Sequence, residues 1–161
     1  MLDAPHMQEA GLDALGWDEL GRVAEGLAFG QRPLRAATRE VTRQYGLGPR
    51  GAWILILISG GKRYPLELSE VLKAGRSLIT AELVRLAEAG LVTSSQGRDD
   101  RRRRELALTI VGRQACQRVR DEMERIVRRN LAPYSAAEVR LFSRMLRDVR
   151  QLQDAEAGPS C

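Results

Sequence analysis

Histidine, cysteine and long apolar runs are scarce in this chain, and each scarcity excludes a class of protein. One histidine and two cysteines, Cys116 and Cys161, form neither a zinc-ligand spacing nor a disulfide framework. Common catalytic motifs such as H-E-x-x-H, G-x-S-x-G and the phosphate-binding loop do not occur. The longest apolar run, residues 52–58, is much shorter than a membrane span. We therefore expect that the protein is not an enzyme, binds no metal or cofactor and does not span a membrane. The cysteine usage predicts a cytoplasmic location.

The charge of the chain is basic and comes almost entirely from arginine. In 161 residues, 26 Lys and Arg side chains outnumber 21 Asp and Glu, which gives a net charge of +5, and only Lys62 and Lys73 are lysines. The planar guanidinium group binds phosphate and guanine edges through paired hydrogen bonds. This balance predicts an anionic partner, although charge alone does not separate nucleic acid from an acidic lipid surface.

The first part of the chain carries apolar residues at helical spacing. A stripe over residues 18–45 is interrupted by Gly30 and Pro33, which predicts a kink or two successive helices. The segment "YGLGPRG" spells G-x-G-x-x-G, but it follows an amphipathic helix and not a strand, so we interpret it as a helix end and a new start at Pro49. The next segment, "RGAWILILISGG", is apolar nearly all round and is a buried helix or a strand, with helix favoured by its neighbours.

The middle of the chain has the pattern of a helix-turn-helix followed by a hairpin. "PLELSEVL" and "RSLITAELVRLAEAG" have helical spacing, and only "KAG" separates them. "LVTSSQ" and "ELALTI" alternate like strands, with Leu106, Leu108 and Ile110 on one face of the second. The arginine-rich "GRDDRRRR" is then the loop of the hairpin. Two further helices follow, and Ser135 with Glu138 forms a capping box at the start of the last one.

Three stretches resemble the MarR family of bacterial transcription regulators. "LGPRGAWILILIS" resembles the start of the family's second helix, and "LITAELVRLAEAGLV" resembles its recognition helix and first wing strand. "DDRRRRELALTIVG" resembles its wing signature, D-x-R followed by a strand that ends in L-T-x-x-G. The matching positions of that signature are Asp100, Arg102, Leu108, Thr109 and Gly112.

The resemblance covers residues 18–154 and implies a fold. It is mostly α with a small β-hairpin wing, a winged helix-turn-helix with terminal dimerisation helices, in the order helix, helix, strand, helix, helix, strand, strand, helix, helix. The expected organisation is an N-terminal arm (1–16), a helical dimerisation region (17–46 and 113–154), a winged helix-turn-helix DNA-binding lobe (47–112) and a flexible tail (155–161).

The same resemblance implies that double-stranded DNA is bound through the recognition helix and the wing. The outward positions of the recognition helix are Arg76, Ser77, Thr80, Ala81 and Arg85. The wing positions expected in the minor groove are Arg98, Arg101, Arg102 and Arg103, while Asp100 and Arg102 hold the wing itself. For Arg85, a surface ion pair with Glu82 or Glu88 is the alternative.

Three positions depart from the family pattern. Gly48 and Gly75 stand where helix-capping hydroxyl residues are common, and Lys73 occupies a turn position that is often glycine. These substitutions leave the starts of two helices less firmly specified.

The family is dimeric through its terminal helices, so the resemblance implies a homodimer and a roughly palindromic DNA site. The expected interface positions are Leu20, Leu27, Val139, Phe142, Leu146, Val149 and Leu152. Together with DNA binding, this predicts a dimeric transcription regulator, with repression as the favoured mode.

Many members of the family release DNA when a small aromatic acid or phenol binds between the dimerisation helices and the DNA-binding lobe. Positions that could line such a cleft are Arg39, Arg43, Arg50, Trp53 and Cys116, with core packing as the alternative for Trp53 and simple solvation for the arginines. A redox switch at Cys116 or Cys161 is a second possibility within the same fold. A non-specific DNA-binding protein and an enzyme are remote alternatives.

Overall fold

The structure, a computed structural model, describes residues 11–96 and 104–156, with side chains described up to residue 149 in the last helix. A short 3-10 turn (Leu12–Ala14) is followed by seven α-helices and a two-stranded sheet. In chain order these are α1 (Trp17–Phe29), α2 (Gln31–Gln44), α3 (Pro49–Ser59), α4 (Pro65–Leu72), α5 (Arg76–Glu88), β1 (Val92–Gln96), β2 (Arg104–Leu108), α6 (Ile110–Asn130) and α7 (Ala136–Glu156).

The first helical stripe of the sequence is divided between α1 and α2. Pro33, the third residue of α2, has no N–H to donate to the carbonyl of Phe29, so the helix is interrupted at Gly30. The prediction of two successive helices is confirmed. The described residues consequently contain one helix more than the six that the resemblance implies.

The glycine-rich segment after α2 is a helix end followed by a helix start. Gly46 adopts a positive φ of 64°, which ends α2, and Pro49 is the first residue of α3. Ala52 and Ile54 in α3 are completely buried, as expected for an apolar helix. The interpretation of this segment as a junction between two helices is therefore confirmed.

The two strands form the antiparallel hairpin that we call the wing. Val92 lies opposite Leu108, and Gln96 lies opposite Arg104. The expected third strand is reduced, in the residues described, to one backbone hydrogen bond of 2.7 Å from the N–H of Leu106 to the carbonyl of Arg63. It cannot extend further along the chain because α4 begins at Pro65.

The prediction that Ile110 continues the second strand is wrong. Thr109 caps α6, and Ile110 is the first residue of that helix with a side chain 68% exposed. The Thr109 hydroxyl accepts the N–H of Gly112 at 2.9 Å and donates to the carbonyl of Gly90 at 2.7 Å. The N-cap therefore ends the strand at Leu108 and starts α6 at Ile110.

The glycine of the L-T-x-x-G segment is required by a close backbone contact. A Cβ atom at Gly112 would overlap the carbonyl oxygen of Leu91. Only glycine allows the start of α6 to approach the end of α5 and the wing so closely. The glycine of the wing signature is therefore required by packing.

The main core lies in the part of the chain from α3 to the start of α6, which we call the lobe. Leu68, Leu86 and Leu91 are completely enclosed there, between α3, α4, α5, the wing and the start of α6. A second cluster of Val41, Ala52 and Val119 joins α2, α3 and α6. In contrast, α1 contains no buried residue, and no described side chain of α7 is buried.

Helix α7 starts with the capping box that the sequence predicts. The N–H of Ser135 donates to Glu138 Oε2 at 2.8 Å, and the N–H of Glu138 donates to Ser135 Oγ at 3.3 Å. The hydrogen bond from the Ser135 hydroxyl, together with that from its N–H, lowers the pKa of Glu138.

Candidate nucleic-acid interface

The turn between α4 and α5 fixes the position of α5, the expected recognition helix. Lys73 ends α4 in the left-handed region, with φ 46° and ψ 47°, where the family often has glycine. The N–H of Ala74 donates to the carbonyl of Ser69 at 3.1 Å, and the Ser69 hydroxyl donates back to the carbonyl of Ala74 at 2.5 Å. These two bonds hold the turn despite the conformational cost of a non-glycine residue there.

One side of α5 is anchored in the core and the other side is free to contact DNA. Ile79 and Leu86 are at most 1% exposed, which places Ile79 and not Leu78 in the core. The five positions expected to contact DNA are all exposed, namely Arg76, Ser77, Thr80, Ala81 and Arg85. Their contact with DNA stays a prediction.

The exposed side of α5 has hydrogen-bonding and apolar groups side by side. The Thr80 hydroxyl donates to the carbonyl of Arg76 at 2.9 Å, so its lone pairs remain available to accept from a base amino group. Val84, which the sequence analysis did not select, is 49% exposed and lies one turn after Thr80 and Ala81. Its methyl groups are suited to contact with a thymine methyl.

A groove of about 290 Å³ between α4 and α5 lies beside this face. Its lining residues are Pro65, Leu66, Arg76 and Thr80, and Leu66 is 48% exposed. Arg76 makes no ion pair within the described ranges. Its guanidinium group is therefore available for phosphate or guanine.

The tip of the wing falls outside the described residues. Arg98, Asp100, Arg101, Arg102 and Arg103 all lie in that segment, so their roles stay predictions.

The base of the wing is held by a residue that the sequence analysis missed. Arg63 Nη1 lies 2.8 Å from Glu105 Oε1 on β2, and the carbonyl of Arg63 accepts the N–H of Leu106. The two partners are 42 positions apart in sequence, and no local pattern links them. Arg63 thereby ties the wing to the segment that precedes α4.

Glu67 fixes that same segment from its other side. Its Oε2 accepts the N–H of Arg63 at 2.8 Å and the N–H of Tyr64 at 2.9 Å, and Lys62 Nζ lies 3.7 Å from Oε1. The hydrogen bond from the Tyr64 N–H lowers the pKa of Glu67, against an opposing effect of partial burial, and the Arg63 N–H and the Lys62 charge lower it further. The start of α4 and the base of the wing are therefore one hydrogen-bonded unit.

Arg85 forms the surface ion pair with Glu82 that the sequence analysis gave as the alternative to DNA contact. Its side chain nevertheless stays exposed. Arg85 Nη1 lies 3.4 Å from Glu82 Oε1, whereas no ion pair to Glu88 occurs in the part of the chain described. The side chain of Arg85 is 55% exposed and that of Glu82 is 5% exposed. Arg85 can therefore contact both Glu82 and an external partner.

The five candidate ligand-pocket residues differ in exposure, and their role in ligand binding stays a prediction. Arg39, Arg43 and Arg50 are exposed, Trp53 is 40% exposed, and Cys116 is 2% exposed within the core. Neither the groove beside α5 nor a second groove of about 360 Å³ next to β2 is lined by any of them. Cys116 also lacks the access that a redox-sensing thiol needs, and Cys161 lies outside the described residues.

Most of the expected dimer positions are exposed apolar side chains. Leu20, Leu27, Phe142, Leu146 and Val149 are each at least 40% exposed. Val139 is half-buried, and the side chain of Leu152 falls outside the described part. Further exposed apolar residues of α1 and α7, which the sequence analysis did not select, are Trp17, Val23, Leu141 and Met145.

The described residues contain neither a membrane-spanning helix nor a metal-binding cluster. None of the helices there is both long and apolar enough to cross a membrane. The same residues contain no group of three or more His, Cys, Asp and Glu side chains arranged to hold a metal ion.

The comparisons with known proteins identify the fold. No protein-family model and no curated protein matches the chain, but solved structures do. The structure of a MarR family transcription regulator is 18% identical in sequence to this chain, with a TM-score of 0.72. The match covers 89% of this chain and 95% of that one. A MarR family protein from Bacillus stearothermophilus is 20% identical with a TM-score of 0.68, covering 88% and 99%. A mutant MarR from E. coli complexed with operator DNA is 19% identical with a TM-score of 0.65, covering 84% and 99%. The chain has the winged-helix fold of the MarR transcription regulators.

Proposed function

We propose that the chain is a DNA-binding transcription regulator that acts as a homodimer on a roughly palindromic operator. The observation that carries the proposal is the exposed face of α5, where Arg76, Thr80, Val84 and Arg85 stand on a helix anchored by Ile79 and Leu86. Side chains of these types read base edges and phosphates in the major groove. The operator DNA bound to the structurally similar MarR from E. coli supports the same use of the fold.

The homodimer is supported by the apolar surface of α1 and α7. Trp17 and Val23 on α1 are 80% and 59% exposed, and Phe142 and Met145 on α7 are 48% and 53% exposed. Exposed apolar side chains, when they are brought together in one patch, are typical of a protein interface. A two-fold dimer through these helices would present two copies of α5 to successive major grooves of one duplex.

We further propose that the regulator is a repressor in the cytoplasm and that a small aromatic or phenolic acid releases it from DNA. A dimer bound over a promoter would exclude the polymerase sterically. Arg39 and Arg43 are exposed on α2, which contacts α1, α3 and α6, and neither makes an ion pair in the part described. A carboxylate bound there would change DNA affinity if it preferred a dimer spacing that does not fit the operator.

Selection of binding sites from a random duplex library tests the DNA-binding proposal. We expect the wild-type protein to enrich a palindromic motif, bound about 10³-fold more tightly than scrambled DNA at physiological salt. The affinity should fall steeply with salt because phosphate contacts release counterions. Failure to enrich any motif would contradict the proposal and would leave a non-specific DNA-binding protein.

Anisotropy titrations on the selected motif, with a panel of aromatic carboxylic acids and phenols, test the effector proposal separately. At least one compound should weaken DNA binding about ten-fold or more. The double variant Arg39→Gln/Arg43→Gln should bind DNA normally and lose this response. A panel without any effect on affinity or melting temperature would overturn the effector proposal and leave DNA binding intact.

A further inference from the structure

A buried carboxylate lies on the helix that we expect to read DNA. Glu82 is 4% exposed, although it occupies the middle of α5 between exposed Ala81 and exposed Val84. Its Oε1 lies 3.4 Å from Arg85 Nη1, and its Oε2 is buried with no hydrogen-bond partner in the residues described. Burial of a charge without full hydrogen bonding is costly.

The carboxylate of Glu82 packs against the start of α3. An added Cβ at Gly48, the N-cap residue of α3, would lie 3.0 Å from Glu82 Oε1 and 3.6 Å from Oε2. Gly48 provides no side-chain cap, and the first turn of α3 contains no acidic residue. The positive end of the α3 dipole therefore receives its nearby negative charge from α5. A Cβ atom at position 48 would require the carboxylate of Glu82 to shift by a few tenths of an ångström.

Packing of α5 on α3 does not by itself require this carboxylate. An apolar side chain of similar size would fill the same space without leaving a buried oxygen unpaired. What an apolar side chain cannot do is attract the guanidinium group of Arg85. The contact of 3.4 Å is long for a hydrogen bond, so it leaves the guanidinium donors of Arg85 available while a carboxylate lies beside them.

We propose that Glu82 is a positioning residue for base readout, which from its site against the start of α3 orients Arg85 toward a guanine in the major groove. The inference rests on the proposed DNA-binding function. Orientation matters because a free arginine loses rotamer entropy when it binds, and an arginine already held in place loses less. Arg85 then discriminates between bases and does not simply neutralise a phosphate.

The experiment is a comparison of binding-site selections by wild type, Arg85→Ala, Glu82→Gln and Glu88→Gln. Glu88 is the matched control because it is the same number of residues from Arg85 along α5 but is exposed and unpaired in the described structure. Arg85→Ala should remove the preference for guanine at one position of each half-site. Glu82→Gln should reduce the same preference about ten-fold, with an unchanged salt slope, because no phosphate contact is lost. Glu88→Gln should leave the motif unchanged.

A second variant, Glu82→Met, separates positioning from a purely structural role. It fills the same space without a charge, so the melting temperature should be equal to or higher than that of wild type while the guanine preference is again reduced. Full base preference in both Glu82 variants would overturn the inference, and so would an unchanged motif in Arg85→Ala. Loss of folding in both Glu82 variants would make Glu82 structural and would also overturn it. Absence of any enriched motif with wild type alone would instead overturn the proposed function, and the inference with it.

Discussion

The lobe and the two terminal helices α1 and α7 are built from similar amphipathic segments but bury their apolar side chains differently. In the lobe, Leu68, Leu86 and Leu91 are completely enclosed within a single chain. On the terminal helices, Trp17, Phe142 and Leu146 remain 80%, 48% and 40% exposed. The lobe therefore encloses an apolar core within one chain, whereas α1 and the described side chains of α7 contain no buried residue.

This difference indicates that the lobe contributes most to the stability of the folded chain and that α1 and α7 contribute to assembly. Apolar burial is the main favourable contribution to folding, so a helix that buries little within its own chain gains little stability there. We expect α1 and α7 to gain stability from a second copy of the chain. Changes in the lobe should then affect folding, and changes in α7 should affect assembly.

Gly112→Ala should have the largest effect, because the added Cβ has to displace the Leu91 carbonyl at the centre of the lobe. We expect the free energy of unfolding to fall by about 4 kcal/mol in urea denaturation. Gly26→Ala in α1 is the control, since its Cβ meets nothing within 4 Å. It should be neutral or stabilising by roughly 0.5–1 kcal/mol, and similar losses at both glycines would remove the distinction between the two regions.

Leu146→Glu should affect assembly and not the lobe. A charge placed in an apolar interface should weaken dimerisation by about 3 kcal/mol, or roughly 150-fold, in sedimentation equilibrium. Operator affinity should fall with it. Ile110→Glu is the control, because Ile110 is 68% exposed but lies on α6, and it should leave the dimer intact. Unchanged dimerisation in Leu146→Glu would remove α7 from the interface.

Arg76→Ala should lower the affinity for DNA about ten-fold and reduce the salt slope by about one, as expected for the loss of one phosphate contact. Arg129→Ala, an exposed arginine in the last turn of α6, removes the same charge away from α5. Equal losses in the two variants would mean that only the net charge matters and that α5 has no special role.

Glu67→Gln should have the smallest effect, a loss of roughly 0.5–1 kcal/mol of stability at neutral pH from a weaker cap of α4. Because the pKa of Glu67 is lowered in the folded protein, its ionised form stabilises the fold above the ordinary glutamate pKa. That contribution disappears as the pH falls through the lowered value. Chemical denaturation across pH should therefore show wild type and variant converging in acid, and a gap that widens in acid would contradict this account.

Much of the fold could be predicted from local patterns in the sequence. Helical stripes located the helices, and Pro33 and Pro49 marked interruptions and starts. The L-T-x-x-G segment came instead from the family resemblance, and its threonine is the N-cap of α6. Ile110 was misassigned because its apolar character fits the strand alternation equally well, and only the cap at Thr109 decides against it. Local patterns thus succeed where one element determines its own ends.

Contacts between distant segments could not be predicted in this way. The pairing of Arg63 with Glu105 and the burial of Glu82 against Gly48 depend on how elements pack. The sequence analysis considered Glu82 only as a surface ion-pair partner of Arg85, and it did not select Val84. The structure shows Glu82 4% exposed and Val84 49% exposed. Tertiary packing overrides the pattern at the positions that shape the candidate interface.

The most direct test of the central claim is the affinity of the protein for its selected motif before and after about five base pairs, half a helical turn, are inserted between the half-sites. The account predicts two chains per duplex in native mass spectrometry and a loss of affinity of at least about 100-fold on insertion, because a dimer joined through α1 and α7 cannot place both copies of α5 on opposite faces. One chain per duplex, or an affinity unaffected by the insertion, would contradict it.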